Sequence, residues 1–129
     1  MIGQFTPALR AVADVLPFRL IMVNDRNEGR ETSAATSVVV GVSSGSNRRF
    51  DDTNHALSGE PIALQPGTIV QVEAGEAITV PALIRPSANG LAMNVDTATD
   101  VVAGEALEDA ADANEIIRMR LNPAMTSKS

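Results

Sequence analysis

The chain has 129 residues, no cysteine and a formal net charge of −6, so we expect one domain that is stabilised by packing rather than by disulfides. The acidic balance would repel a phosphate backbone, and the longest strongly apolar run, Leu20 to Val23, is far too short to cross a membrane. No nucleic acid and no membrane is therefore expected as a partner. The three aromatic residues, all phenylalanines, also argue against readers of sugars or single-stranded RNA, which need stacking platforms.

The first 17 residues form a segment of their own. Pro7 could occupy the first helical position, and apolar residues follow at Leu9 and Leu16. Pro17 would end such a helix because proline lacks the amide hydrogen. We therefore expect residues 1–17 to form an N-terminal arm or a short helix.

Residues 18–121 consist of short segments rich in Val, Ile or Leu, separated by turn residues. Many short strands without a helical pattern between them predict a single all-β domain, either a small β-barrel or a β-sandwich of antiparallel strands. Residues 122–129 are expected to form a short, flexible C-terminal tail. The predicted strands are Phe18–Val23, Ser37–Val42, Ile62–Leu64, Thr68–Glu73, Ala77–Val80, Leu83–Arg85, Leu91–Val95, Asp100–Val102 and Glu115–Leu121.

The pair Asn89-Gly90 is the strongest short hairpin signal in the chain. It lies between Leu83–Ile84 and Leu91–Val95, so we expect these two segments to pair in antiparallel fashion. Near the end of the domain, strict alternation predicts a strand with three apolar residues facing inward and two arginines facing solvent or the preceding acidic segment. The five residues are Ile117, Met119, Leu121, Arg118 and Arg120.

A faint internal repeat appears when Leu20–Gly41 is aligned without gaps on Leu83–Gly104. The identical pairs are Leu20/Leu83, Ile21/Ile84, Ala35/Ala98, Thr36/Thr99, Val38/Val101, Val39/Val102 and Gly41/Gly104. Two hairpin-like units could form the two halves of one barrel. The alternative, that a chain rich in Ala, Val and Thr matches itself by composition, stays open.

Residues 41–45 match the G-x-S-x-G pattern of a nucleophile elbow around Ser43. An elbow needs a helix directly after the serine, whereas polar loop residues follow here. The sole histidine, His55, lies too close in sequence for a separate acid strand to intervene. We interpret the motif as a glycine-serine turn, predict no catalytic residue and expect no enzymatic activity.

No metal site and no cofactor are expected. Asp51, Asp52 and His55 form a polar cluster with Asn54, but a second histidine is lacking. Residues 96–115 hold seven carboxylates and no basic residue, without the alternate ligands and central glycine of a calcium loop. We interpret this segment as a solvated acidic face.

Six phrases between Val38 and Leu121 form a recognisable series: Val39–Ser43, His55–Ile62, Pro66–Val70, Glu73–Val80, Gly104–Ala110 and Ile116–Leu121. Together they resemble the small β-rich capsid decoration or cement proteins of tailed bacteriophages, also described as head fibre or head-stabilising proteins. The resemblance implies a non-enzymatic protein that binds the major capsid protein on the outer surface of the head and stabilises the shell.

The same resemblance implies a homo-oligomer, with a trimer favoured, on the outer surface of a virion assembled in the host cytoplasm. The alternative function is a virion-surface module that recognises a host or carbohydrate ligand. The two chain ends are the expected clamps, since either could become ordered on binding. The candidate capsid-contact residues are Phe5, Leu9, Arg10, Phe18, Arg48 and Arg49.

Overall fold

The structure, a computed structural model, describes residues 9–23, 28–44 and 61–122. These ranges contain ten strands and a short 3-10 turn at Ala88–Gly90. The strands are β1 (Leu9–Ala11), β2 (Leu20–Val23), β3 (Glu28–Glu31), β4 (Gly41–Val42), β5 (Pro61–Ile62), β6 (Ile69–Glu73), β7 (Leu83–Arg85), β8 (Met93–Asn94), β9 (Gly104–Ala106) and β10 (Ile116–Leu121).

The strands form two five-stranded sheets that correspond to the two halves of the chain. The first sheet has the order β4-β2-β3-β1-β5 and the second the order β6-β10-β9-β7-β8. The strands pair antiparallel, except that β1 runs parallel to β3. Neither sheet closes into a barrel. The all-β prediction is therefore confirmed, in its sandwich-like form.

Strand β10 shows how the sequence dictates this packing. Ile117, Met119 and Leu121 are buried, because alternate residues of a strand point to the same face. Between them Arg118 pairs with Glu108 at 3.4 Å and Arg120 pairs with Glu105 at 3.3 Å. The predicted alternation and the predicted direction of both arginines are confirmed.

The predicted hairpin is also present. In β7 and β8, Ile84 lies opposite Asn94 and Arg85 lies opposite Met93. The connecting turn places Asn89 at φ 63 and Gly90 at φ 69, a left-handed pair of conformations that asparagine and glycine tolerate best.

The sequence repeat has a structural counterpart. Ile21 lies opposite Gly41 in the first sheet, and Ile84 lies opposite Gly104 in the second. The shift in residue number that takes Ile21 to Ile84 also takes Gly41 to Gly104. The aligned positions of the repeat are therefore paired in the same register in both sheets.

The same shift relates the first strands of the two sheets. Ala11 in β1 lies opposite Gly29 in the parallel strand β3, and the equivalent residues Ala74 and Ala92 form a parallel bridge between the end of β6 and the start of β8. We call β1–β5 the first unit and β6–β10 the second unit. When this bridge and the bridge from Ser43 to Leu64 are counted with the strand pairs, equivalent strands have the same neighbours in both units, although the two sheets are open at different places. The two units are therefore copies of one topology, and not halves of one barrel as the repeat first suggested.

The units differ in the connection before their fifth strands. Ser43 bridges Leu64 in the first unit, and the equivalent Ala106 lies opposite Met119 in the second. The chain between the bridged residues is eight residues longer in the first unit. The extra length falls in the connection between β4 and β5, most of which lies outside the described residues.

The interior is divided between two clusters of buried apolar side chains. The smaller cluster lies within the first unit and comprises Ala11, Val15, Ile21 and Ile62. The larger cluster fills the second unit with residues such as Val72 and Ile117 and also takes in three side chains of the first unit: Leu20, Val39 and Val42. Full burial of each large apolar side chain contributes about 1.5–3 kcal/mol, so this shared cluster holds the units together.

Three strands, β1, β3 and β9, were missed from the sequence, and two predicted strands are not formed. Strand β3 is polar, yet it lies between β2 and β1 and takes its hydrogen bonds from both. Strand β9 follows the predicted strand Asp100–Val102 and was not itself predicted. Asp100–Val102 is irregular, and Ala77–Val80 contributes only a bridge at Ile78.

The short helix considered for the N-terminal segment is not formed in residues 9–17. Instead, β1 lies between β3 and β5, with Arg10 opposite Glu28 and Pro61. Pairing on both sides satisfies more backbone groups than one helical turn would, which explains the extended conformation. Within the described ranges, no helix is long and apolar enough to cross a membrane.

Candidate functional site

Three of the six candidate capsid-contact residues, Phe5, Arg48 and Arg49, lie outside the described residues. Leu9 and Arg10 are in β1, where Arg10 is exposed. Phe18 is half-buried and lies before β2. The structure therefore places the described candidates in the first unit, with Arg10 exposed and Phe18 half-buried.

Phe18 lies where the two units meet. We call this region the joint: it is formed by Phe18, Arg19 and Leu20 of the first unit and by Glu73 and its neighbours of the second. Its backbone N–H donates to the Ser43 carbonyl at 3.0 Å, and its carbonyl accepts from the Glu73 N–H at 2.8 Å. Its φ of 62 is uncommon for a residue other than glycine. Both backbone hydrogen bonds fix this turn, so the residue links β6 to the first unit.

An ion-pair network at the same joint was not predicted from the sequence. Arg19 donates from Nε and Nη2 to Glu73 Oε1, at 3.3 and 3.2 Å, and from Nη1 to the Asn89 carbonyl at 2.8 Å. Asn114 donates to the other Glu73 oxygen at 2.8 Å. The Arg19 and Glu73 side chains are only 11% and 16% exposed, so their attraction is less screened than that of surface pairs.

The Gln65 side chain lies along the edge of β6 that faces away from β10. Its side-chain Nε2 donates to the Gln71 carbonyl at 2.7 Å, and its Oε1 accepts from the Gln71 N–H at 2.8 Å. A side-chain amide thus pairs with the strand edge as a neighbouring strand would. No local pattern signals such a contact, because a glutamine in a loop is common.

Ser43, the centre of the G-x-S-x-G match, is wholly buried. Its hydroxyl accepts from the Arg19 N–H at 2.9 Å and donates to the Leu16 carbonyl at 2.7 Å. Both bonds hold the segment that leads into β2. The hydroxyl is thus engaged with the backbone, and Ser43 itself lies in a bridge to Leu64; the predicted turn continues at Gly45, outside the described residues.

The carboxylates of residues 96–115 are more engaged than a solvated face would be. Asp100 accepts from the N–H groups of Asp96 and Thr97 at 2.8 and 3.1 Å and lies 3.5 Å from Arg85. The two backbone donors, Asp96 first, lower the pKa of Asp100 below its ordinary value. Asp109 likewise accepts from the Val80 N–H.

These bonds give the acidic segment a structural role in the turns of the second unit. In the described part of the chain, no three Asp, Glu, His or Cys side chains are grouped so that they would hold a metal ion. The polar cluster around His55 lies outside that part.

The outer face of the second sheet presents an exposed row that the sequence did not reveal. Register places Ile69 beside Arg120, Arg120 beside Glu105, and Glu105 beside Leu83. Ile69 and Leu83 are 53% and 52% exposed, and they flank the Arg120–Glu105 ion pair. A shallow groove of about 190 Å³ runs along the row between Leu83 and Val102. The row thus exposes apolar surface on both sides of one ion pair.

Comparison with known proteins identifies a structural relative. No protein-family model and no curated protein matches the chain. Among solved structures, the chain is similar to the head fiber gp8.5 N base of bacteriophage phi29, with a TM-score of 0.67 over 90% of this chain and 92% of that chain. The two chains share one fold. At 20% sequence identity, the likeness to the head-fiber base confirms the resemblance to phage head proteins at the level of the fold.

Proposed function

We propose that the protein is a structural component of a phage head that binds the outer surface of the major capsid shell and stabilises it. The observation that supports this proposal is the fold shared with the head-fiber base over nine-tenths of both chains. The protein would act without catalysis, through the area it covers. Assembly onto the head would take place in the host cytoplasm.

A protein that stabilises a shell by covering it needs exposed apolar surface for the contact. In the described ranges, several large apolar side chains are at least one-third exposed. A contact through a few of them is weak on its own. Many copies on one particle, and oligomers that engage several sites at once, raise the effective concentration and hence the avidity. These exposed side chains are Val12, Leu16, Val38, Ile69, Val80, Leu83 and Ile116.

The first unit remains the proposed side of attachment. Arg10 is exposed on β1, and the proposed contacts Phe5, Arg48 and Arg49 belong to the same half of the chain. Phe18 contributes less to this proposal than the sequence suggested, because its backbone is bound in the joint between the units. We propose that this half faces the major capsid protein.

The experiment is cosedimentation of the purified protein with heads that lack it. A head-stabilising protein binds until a fixed number of copies per capsomer is reached, and it raises the temperature at which the heads release their DNA. Binding that does not saturate, or heads that are equally labile with and without the protein, would contradict the proposal. Binding of the free protein to host cells or glycans would instead support the alternative, a host-recognition module.

A further inference from the structure

The joint between the two units buries one particular face of the first unit. Leu20, Val39 and Val42 point away from the interior cluster that holds Ile21, and all three are completely buried in the cluster shared with the second unit. The outer face of β2 and β4 is therefore covered by the second unit.

The equivalent face of the second unit is open. The shift that relates the units takes Leu20 to Leu83, Val39 to Val102 and Val42 to Glu105. Leu83 is 52% exposed, the Glu105 side chain is 50% exposed, and Val102 is half-buried in the wall of the groove. We call Leu83, Val102 and Glu105 the free face.

A residue on the second unit's side of the joint, Val101, also has an equivalent in the first unit. Within the chain, the Val101 N–H of the second unit donates to the Ala35 carbonyl of the first unit at 2.8 Å. The residue equivalent to Val101 is Val38, and it is 50% exposed. The equivalents of Leu20 and Val101, which come from opposite sides of the internal joint, are thus both exposed.

We propose that the free face binds a second copy of this chain, through the side of the first unit that carries Val38. The contact uses the equivalents of Leu20 and Val101 from the internal joint, but without its ion pair, because the same shift relates Arg19 to Ala82 and Glu73 to Arg10. Because the two surfaces differ, the interface is heterologous, and it produces a ring if the rotation closes. The inference rests on the proposed function, since it names the self-contact of the expected oligomer.

The charge distribution favours this occupant over a contact between two second units. Residues 69–122 hold nine carboxylates and three arginines, so the entire net charge of −6 lies in this range and the rest of the chain is balanced. Two second units would repel each other. Glu105 is the equivalent of the buried Val42 of the first unit, and it pairs with Arg120. This ion pair makes the free face less apolar than the buried face of the first unit, which favours a reversible contact.

The test measures the mass of the full-length protein by sedimentation velocity from micromolar to millimolar concentration. The variants are Leu83→Arg on the free face and Val38→Arg on the opposite side. Val80→Arg is the matched control, since Val80 is another exposed apolar residue of the second unit, 36% exposed. We expect a closed oligomer for the wild type and the control, and association that is at least about tenfold weaker for each of the other two variants, as for a residue central to an interface.

Mixing the two weakened variants tests the heterologous geometry. Each retains one intact side, so an equimolar mixture forms a single productive contact and yields a one-to-one dimer that does not grow. Absence of that dimer would overturn the head-to-tail arrangement. Circular dichroism of each variant verifies that the fold is unchanged.

The remaining outcomes separate this inference from the proposed function. If the wild type oligomerises and Leu83→Arg and Val38→Arg behave like Val80→Arg, the free face is not the interface, although capsid binding is unaffected. A wild type that stays monomeric at every concentration overturns the self-contact, and cosedimentation with heads then decides the proposed function alone.

Discussion

Gly41 and Gly104 occupy the same position in the two units. At each glycine, a side chain from the last strand of the unit or from the residues just after it lies where a Cβ atom would point. A Cβ on Gly41 would lie 3.1 Å from Leu64 Cδ1, and one on Gly104 would lie 2.6 Å from Met119 Cε and still closer to the Arg120 carbonyl. Leu64 and Met119 are themselves equivalent. The close approach of these strands is therefore a shared property of the duplicated fold.

The two glycines differ in what an added methyl group would meet, which leads to a first prediction. Gly104→Ala pushes against the backbone of β10 and should destabilise the protein by about 3 kcal/mol or more, at the upper end of overpacking costs. Gly41→Ala meets only the end of a leucine side chain and should cost less than about 1 kcal/mol. Urea unfolding of both variants measures the difference, and equal losses would contradict this account.

The Arg19–Glu73 pair should couple the two units energetically. In a double-mutant cycle with Arg19→Met and Glu73→Gln, we expect a coupling of about 1–2 kcal/mol, since this pair is largely shielded from solvent. The exposed Arg118–Glu108 pair, with side chains 58% and 41% exposed, is the control and should give less than about 0.5 kcal/mol. Urea midpoints of the wild type and the six variants supply both values, and similar couplings would show that burial at the joint contributes nothing.

Asp100 should make stability depend on acid pH. Hydrogen bonds from Asp96 and Thr97 lower the pKa of Asp100 in the folded state. The contribution of Asp100 to the free energy of unfolding is therefore fully present above the ordinary aspartate pKa of about 3.9. It is lost as the pH falls through the lower pKa of the folded state. The wild type should therefore exceed Asp100→Asn in melting temperature at neutral pH, and the gap should narrow in acid. A gap that stays constant from pH 7 to pH 3 would show that the carboxylate charge is not involved.

Two deletions should separate attachment from folding. Removal of Met1–Ala8 leaves β1 intact, so the domain should keep its β-sheet circular dichroism while binding heads more weakly, because Phe5 is lost. Removal of residues 1–16 also takes away β1, which pairs with two strands, and should impair folding. Undiminished cosedimentation of the shorter deletion would exclude residues 1–8 as a capsid contact.

The features predicted well from the sequence are those with a local signal. Strand β10 was predicted because strict alternation over the five residues from Ile117 to Leu121 indicates a strand with one buried face, and the β7–β8 hairpin because Asn89-Gly90 suits a tight turn. Strand β3, with the sequence Glu-Gly-Arg-Glu, has no such signal, since its extended form depends on the strands beside it.

The candidate site depended even more on distant contacts. Arg19 and Glu73 are 54 positions apart, and neither residue alone indicates a partner. The repeat did predict that the two units are equivalent. Its identical pairs all differ by the same number of residues, and the same difference relates the strand pairings of the two sheets. What the alignment did not reveal is that equivalent residues such as Leu20 and Leu83 have opposite exposure.

The unequal connections between the fourth and fifth strands show where this scaffold accepts foreign sequence. The first unit accommodates eight more residues than the second between equivalent bridges, and lengthening a surface loop costs only about 0.6 kcal/mol per doubling. An eight-residue epitope inserted after the exposed Asp112 should leave the urea midpoint nearly unchanged. A duplicated fold whose two equivalent connections differ by eight residues is thus a natural carrier for peptide display.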